Sequence, residues 1–371
     1  MKRMRNYNID ILSKRIYLID FLRLIAAFIV VMYHYTYRGL VNAQYIEVDL
    51  EFPFLKEIFK YGYLGVDFFF ILSGFVILMS VEKKNITSFV KSRFLRLYPV
   101  YWVCLSITFL FLLLFGNPTF SANWFDFLTN LTMLNGFLFL PYVDGVYWTL
   151  LVEMKFYFLI MFFILIRDKF NFKVNQLIVS YLVITLFSVF IDIFSNKFFV
   201  LINYLFSFQY SSLFIAGMTF YLIKKNGLNL KYLIFLNISF GISVFYAIEK
   251  VNRLSDSHSH NFSEFTTFLY ILSFYTIMFL ISVNKLNIIN KKWMLKYGMM
   301  TYPLYLLHQN IGYILINYLT KYFNKYLVLL FVTSLMFYAA FFISNKIEIH
   351  LYRFFSNKIN NFKQNENSYI K

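Results

Sequence analysis

Runs of about twenty mostly apolar residues recur along nearly the whole chain, separated by short segments rich in lysine and arginine. A helix needs about 20 such residues to cross about 30 Å of hydrocarbon. In lipid, only helices and closed barrels satisfy all their backbone polar groups. Ten runs are readable, at about 17–37, 61–80, 97–116, 146–166, 176–195, 203–223, 231–248, 264–283, 297–317 and 327–345. The expected fold is therefore all-α, a polytopic membrane bundle of about ten transmembrane helices. The stretch 117–145 is less apolar, and its Trp124–Leu140 part reads as an interfacial or re-entrant helix. Of the 371 residues 60% are hydrophobic and 14% charged; soluble domains carry about 25% charged residues, so a water-facing surface is missing and disorder is excluded.

The net charge of +17 suggests nucleic-acid binding at first sight. However, the basic residues sit between apolar runs, which in membrane proteins records topology. With the N-terminus inside, 25 of the 35 lysines and arginines fall in the cytoplasmic segments 1–15, 82–96, 167–173, 224–231, 284–296 and 346–371. Eight fall in 38–60, at Lys197, and in 249–263 and 318–326 on the other side. The outer loop also carries Glu47, Asp49, Glu51 and Glu57. Both termini are thus expected in the cytoplasm, with 1–16 a cytoplasmic segment, 17–345 the membrane domain and 346–371 a polar cytoplasmic tail. The first run reads as a span and not as a cleaved signal peptide. Membrane lipids are the expected surroundings, and no nucleic-acid partner is expected. The lone Cys104 excludes a disulfide framework and a cysteine-based metal site, and no metal is expected.

An ionisable residue at the centre of a span costs about 2.5–3.5 kcal/mol, so each is a functional candidate. Those singled out are Arg23, His34, Asp67, Glu153, Lys155, Asp192 and His308. Arg23 and His34 are eleven residues apart, about 20° beyond three helical turns. They share one face, roughly 16 Å apart along the axis. Asp67 lies in GYLGVDFFFILSGF, where a carboxylate needs a cation, a hydrogen-bond donor or a proton. Arg93 and Arg96, in KSRFLRLYPVYW, face the same way at a cytoplasmic helix start, with Pro99 in the first turn. Two guanidiniums there suit a phosphate-bearing ligand, although ordinary positive-inside anchoring would also place them so. Glu153, at a depth similar to His34, is expected to hold the imidazole for general-base work. Glu153 and Lys155 are two residues apart and point to opposite sides. His308, in YPLYLLH, either faces the same cavity or bonds a backbone carbonyl. Asp192 and the loop histidines His258, His260 and His350 receive no role.

Arg23-x10-His34, the GYLGVDFFFILSGF run, RFLRLYPVYW, Trp148-x-Leu150-x-x-Glu153 with Phe156-Tyr157, and YPLYLLH follow one another in that order. Together they resemble the acyltransferase 3 family, the bacterial inner-membrane O-acyltransferases that modify cell-surface polysaccharides. The resemblance spans about 15–345. It implies a ten-helix enzyme that takes an acyl group, usually acetyl, from cytosolic acyl-CoA to a sugar hydroxyl of a polysaccharide or lipid-linked glycan. It marks His34 as the catalytic histidine, Arg23 as its partner, and Arg93 and Arg96 as the pair linked to the donor. Glu153 matches the tryptophan–glutamate motif and is expected to act with His34; Asp67, Trp148 and His308 are placed among the substrate-binding residues. Some relatives add an extracytoplasmic hydrolase-like domain. This chain ends 26 residues after its last span, so acceptor chemistry is expected within the membrane domain or on a separate protein. Two other readings stay open: a transporter or flippase for a lipid-linked sugar, with the intramembrane charges lining its path, and an acyltransferase acting on a small molecule or lipid headgroup.

Overall fold

The computed structural model describes residues 16–41, 44–46, 50–81, 84–193, 197–258 and 261–369. The basic segment 1–15 and Glu47, Asp49 and His260 lie outside the described residues, as do the side chains of Asp192, Lys197 and His258. The main helices are α1 (Tyr17–Tyr33), α2 (Gly65–Val81), α3 (Ile86–Phe115), α4 (Trp148–Phe170), α5 (Val174–Ile193), α6 (Ser211–Asn226), α7 (Leu230–His258), α8 (Glu264–Ser282), α9 (Thr301–Leu319) and α10 (Lys325–Phe342). No strand occurs among the described residues. The fold is the all-α membrane bundle that the apolar runs require.

Among the described residues, seven helical segments are long and apolar enough to cross a membrane, namely Tyr17–Arg38, Pro53–Val81, Ile86–Phe115, Gly145–Phe170, Leu230–Ser257, Glu264–Ser282 and Lys325–Asn360. The expected spans at 176–195, 203–223 and 297–317 correspond to α5, α6 and α9, which are not among them. Burial accounts for two of these. Every residue of α6 from Ser211 to Ile223 is buried, and α9 buries most of its length. Helices enclosed by other helices need not be as apolar as lipid-facing ones, so α9 can carry His308, Gln309 and Asn310. The run expected at 203–223 is also interrupted. Ser207 takes a left-handed conformation (φ 53°), which ends the short helix Lys197–Phe206 before α6 begins.

Helices α2 and α6 form the closest pairing. A Cβ on Gly74 would lie 2.3 Å from the Phe214 carbonyl oxygen, and one on Gly217 would lie 2.0 Å from that of Ile71. Only glycine permits this backbone approach, the small-residue packing typical of helices in lipid. Helix α1 packs on α2 and α9, and α9 also packs on α3 and α10. These contacts gather α1, α2, α3, α4 and α9 around one cavity.

Three expectations shift. Helix α3 starts at Ile86, where the Asn85 side chain accepts the Ser88 N–H (3.0 Å). Pro99 therefore lies inside the helix, and Arg93 and Arg96 are well past its first turn. The less apolar stretch holds a short helix, Trp124–Asn130, closed by a reciprocal cap between Asn123 and Asp126. The polar tail is helical: α10 runs through a π-helical turn, Ile343–Ile347, into the helix Glu348–Tyr369, which lies against α3.

Candidate active site

A cavity of about 120 Å³ opens between these helices, and three guanidiniums converge on it. Arg23 comes from α1, and Arg93 and Arg96 come from α3. None of the three forms a hydrogen bond or ion pair among the described residues, and the Arg93 Nε is fully buried without a partner. Arg93 is held by aromatic faces instead, 5.7 Å from the Phe89 ring centroid and 5.8 Å from that of Tyr157. At the same end, burial and then the Arg93 charge lower the Lys84 ammonium to about 8. Its Nζ donates to Ser92 Oγ at 2.9 Å.

Glu153 lies on the wall of this cavity with the arginines. Its Oε1 accepts the Tyr157 hydroxyl (2.5 Å) and the Ser73 hydroxyl (3.1 Å). The expected contact to His34 is therefore absent here, because α4 turns the carboxylate toward α2 and its own next turn. Lys155 points the other way, as their two-residue separation requires. It donates to Ser207 Oγ at 2.9 Å and to the Tyr204 carbonyl, with its ammonium 4.6 Å from the Tyr204 ring centroid.

His34 stands where α1 gives way to a π-helical turn, His34–Arg38. Two side chains there bond back to carbonyls four residues earlier, His34 Nδ1 to Val30 (2.9 Å) and Thr36 Oγ1 to Met32 (2.7 Å). Such back-bonding loosens the regular ladder, and π-turns concentrate at functional sites. The imidazole partner is His308, whose Nε2 lies 3.1 Å from His34 Nδ1. His308 Nδ1 lies 2.8 Å from the Tyr305 carbonyl. The carbonyls assign the protons: His308 carries its hydrogen on Nδ1, so its Nε2 accepts from the Nδ1–H of His34. The Nε2 of His34 then holds a free lone pair and makes no hydrogen bond among the described residues. His308 thus does both things the sequence left open, bonding a carbonyl and facing the catalytic candidate.

Tyr305 separates the two centres. Its side chain lines the arginine cavity, its hydroxyl accepts from Thr149 Oγ1 (3.1 Å), and its carbonyl holds His308. Asp67 and Trp148 belong elsewhere. Asp67 Oδ1 lies 3.7 Å from Lys250 Nζ and faces a second cavity of about 90 Å³ with Gln209, Tyr210 and Arg253. The Trp148 ring packs on Tyr210 at 5.6 Å between centroids.

The family model Acyl_transf_3, described as an acyltransferase domain, matches residues 16–345. The chain belongs to the acyltransferase 3 family. No curated protein and no solved structure matches it. It is a multi-pass membrane acyltransferase, and the arginine cavity and the histidine pair are its candidate active site.

Several lining residues of this acyltransferase receive no role from the sequence: Asp20, Tyr157, Thr301, Tyr302 and Glu348. Asp20 is three residues before Arg23 and shares its helix face, a signal that was available. Tyr157, four residues after Glu153, carried the same kind of signal. Glu348 had none, because its place depends on how α10 continues past its end.

Proposed function

We propose that this acyltransferase moves an acyl group, acetyl in the simplest case, from cytosolic acyl-CoA to a hydroxyl of a cell-surface or lipid-linked polysaccharide. One observation carries the reading: three guanidiniums with no hydrogen-bond or ion-pair partner among the described residues meet at a cavity one residue layer from an imidazole whose Nε2 is likewise free among them. Arginines without acceptors, one with a buried orphan nitrogen, fit a ligand that brings several phosphate oxygens. Arg23, Arg93 and Arg96 hold those phosphates, and the thioester arm extends past Tyr305 toward His34. The acceptor oxygen bonds to the acyl carbon as the carbon–sulfur bond breaks. His34 Nε2 takes the hydroxyl proton and returns it to the departing sulfur. Either direct transfer or prior acylation of His34 uses the same nitrogen.

The proposed topology has ten spans with both termini cytoplasmic in the inner membrane, supported by the 25-to-8 distribution of basic residues. In a background lacking Cys104, single cysteines at positions 226 and 290 should react only from the cytoplasm, and one at 322 only from outside. External labelling at 226 or 290 overturns the ten-span arrangement.

The activity itself is tested with purified protein in lipid discs. CoA thiol release from acetyl-CoA should depend on added glycan acceptor. Mass spectrometry of surface glycans from cells with and without the protein should show the added acyl group and locate the sugar. Unchanged glycans would overturn the polysaccharide acceptor and point to a small molecule or a lipid headgroup instead.

A further inference from the structure

The helix N-terminus that faces the arginine cavity is that of α9, not that of α3. Gly298, Met299, Thr301 and Tyr302 all line the cavity. The first residues of an α-helix leave backbone N–H groups without intrahelical acceptors. In α9 the ladder begins with Leu304 N–H to the Met300 carbonyl (3.0 Å), and Pro303 has no N–H to satisfy. The N–H groups of Thr301 and Tyr302 belong to this first turn, ahead of that bond. A side chain adds an independent observation. Thr301 is 7% exposed, lines the cavity, and its Oγ1 has no hydrogen-bond partner.

Formal charge alone does not select an anion here, since Asp20, Glu153 and Glu348 line the cavity beside the three arginines. The donors decide the matter. The buried Thr301 hydroxyl and the buried Arg93 Nε lack partners among the described residues around one space onto which the first turn of α9 opens, whereas the Glu153 carboxylate already accepts two hydroxyls. An unsatisfied buried donor is costly, and a helix N-terminus favours negative charge. A phosphate supplies the missing acceptors at one position.

We infer that the N-terminus of α9, through Thr301 Oγ1 and the N–H groups of Thr301 and Tyr302, binds a phosphate of the nucleotide end of the acyl donor. This rests on the acyl-CoA reading above and adds a site to it. The arginines supply charge from α1 and α3, and α9 supplies a fixed set of neutral donors opposite them.

The test uses full-length protein in lipid discs and the near-isosteric change Thr301→Val, with Thr301→Ser as the restoring variant. CoA binding by calorimetry should weaken by about tenfold or more in Thr301→Val, the scale of a hydrogen bond to a charged group, and recover in Thr301→Ser. Turnover adds a second readout with acetyl-pantetheine, which carries the thioester without phosphate. The ratio of kcat/KM for acetyl-CoA over acetyl-pantetheine should fall about tenfold in Thr301→Val. If CoA binds that variant as tightly as wild type, or if both donors lose equally and the ratio holds, Thr301 is structural and the inference is overturned. A wild-type protein that binds no CoA overturns the donor reading itself, and this site with it.

Discussion

Replacing His34 by alanine is expected to lower kcat by about 10²–10⁴-fold, the range supplied by a positioned general base. Its Nδ1–H is committed to the Val30 carbonyl and His308 Nε2, which leaves Nε2 as the reactive atom. His34→Asn separates chemistry from packing. Its amide can still donate where Nδ1–H did, but nothing replaces Nε2, so the loss should be nearly as large as for alanine. His308→Ala should cost less, since the Val30 carbonyl still fixes the His34 tautomer. The measurement is acceptor-dependent thiol release at saturating donor, with CoA binding followed in parallel. Activity of His34→Asn within about tenfold of wild type, less than about 1.4 kcal/mol of barrier, would make His34 a packing residue.

Apolar length made the bundle legible, because lipid forces every spanning segment to announce itself. Enclosed segments announce themselves less clearly. Inside the bundle, α6 and α9 face protein on all sides, so length and hydropathy no longer mark their ends. The start of α3 was missed for a different reason. Its first turns, Ile86–Phe94, are polar enough to read as a cytoplasmic loop, and Pro99 looked like a start signal. The helix is in fact launched by the Asn85 cap, a local hydrogen bond that hydropathy does not register.

For the site, periodicity along one helix worked and depth across helices did not. Arg23, Arg93 and Arg96 line one cavity, and Glu153 and Lys155 diverge as their two-residue spacing requires. Similar depth alone links Glu153 to His34 in the sequence. Depth along the membrane axis says nothing about azimuth, and the packing of α2 and α4 sends Asp67 to Lys250 and Glu153 to the arginine cavity. The partner of His34 is another histidine from α9, 274 residues away. Only a tertiary contact could choose between the two roles open to His308.

Arg93→Ala should raise the KM for acyl-CoA by roughly 10- to 150-fold, the equivalent of about 1.5–3 kcal/mol for a charged hydrogen bond, with kcat little changed. Arg93 is clamped between the Phe89 and Tyr157 rings with its Nε buried. A contact that holds nucleotide phosphates remote from the breaking bond acts equally in ground and transition states, so its loss appears in KM. Arg96 is exposed, and Arg96→Ala should have the smaller effect because water replaces its contact at little cost. Arg93→Lys should recover only part of the loss, since an ammonium lacks the planar fork and stacks less well between aromatic faces. Steady-state kinetics with varied acyl-CoA and saturating acceptor reads all three variants. A fall in kcat at unchanged KM would place Arg93 beside the reacting carbonyl, and the donor would then have to lie in the opposite sense along the cavity, with its phosphates toward Tyr305.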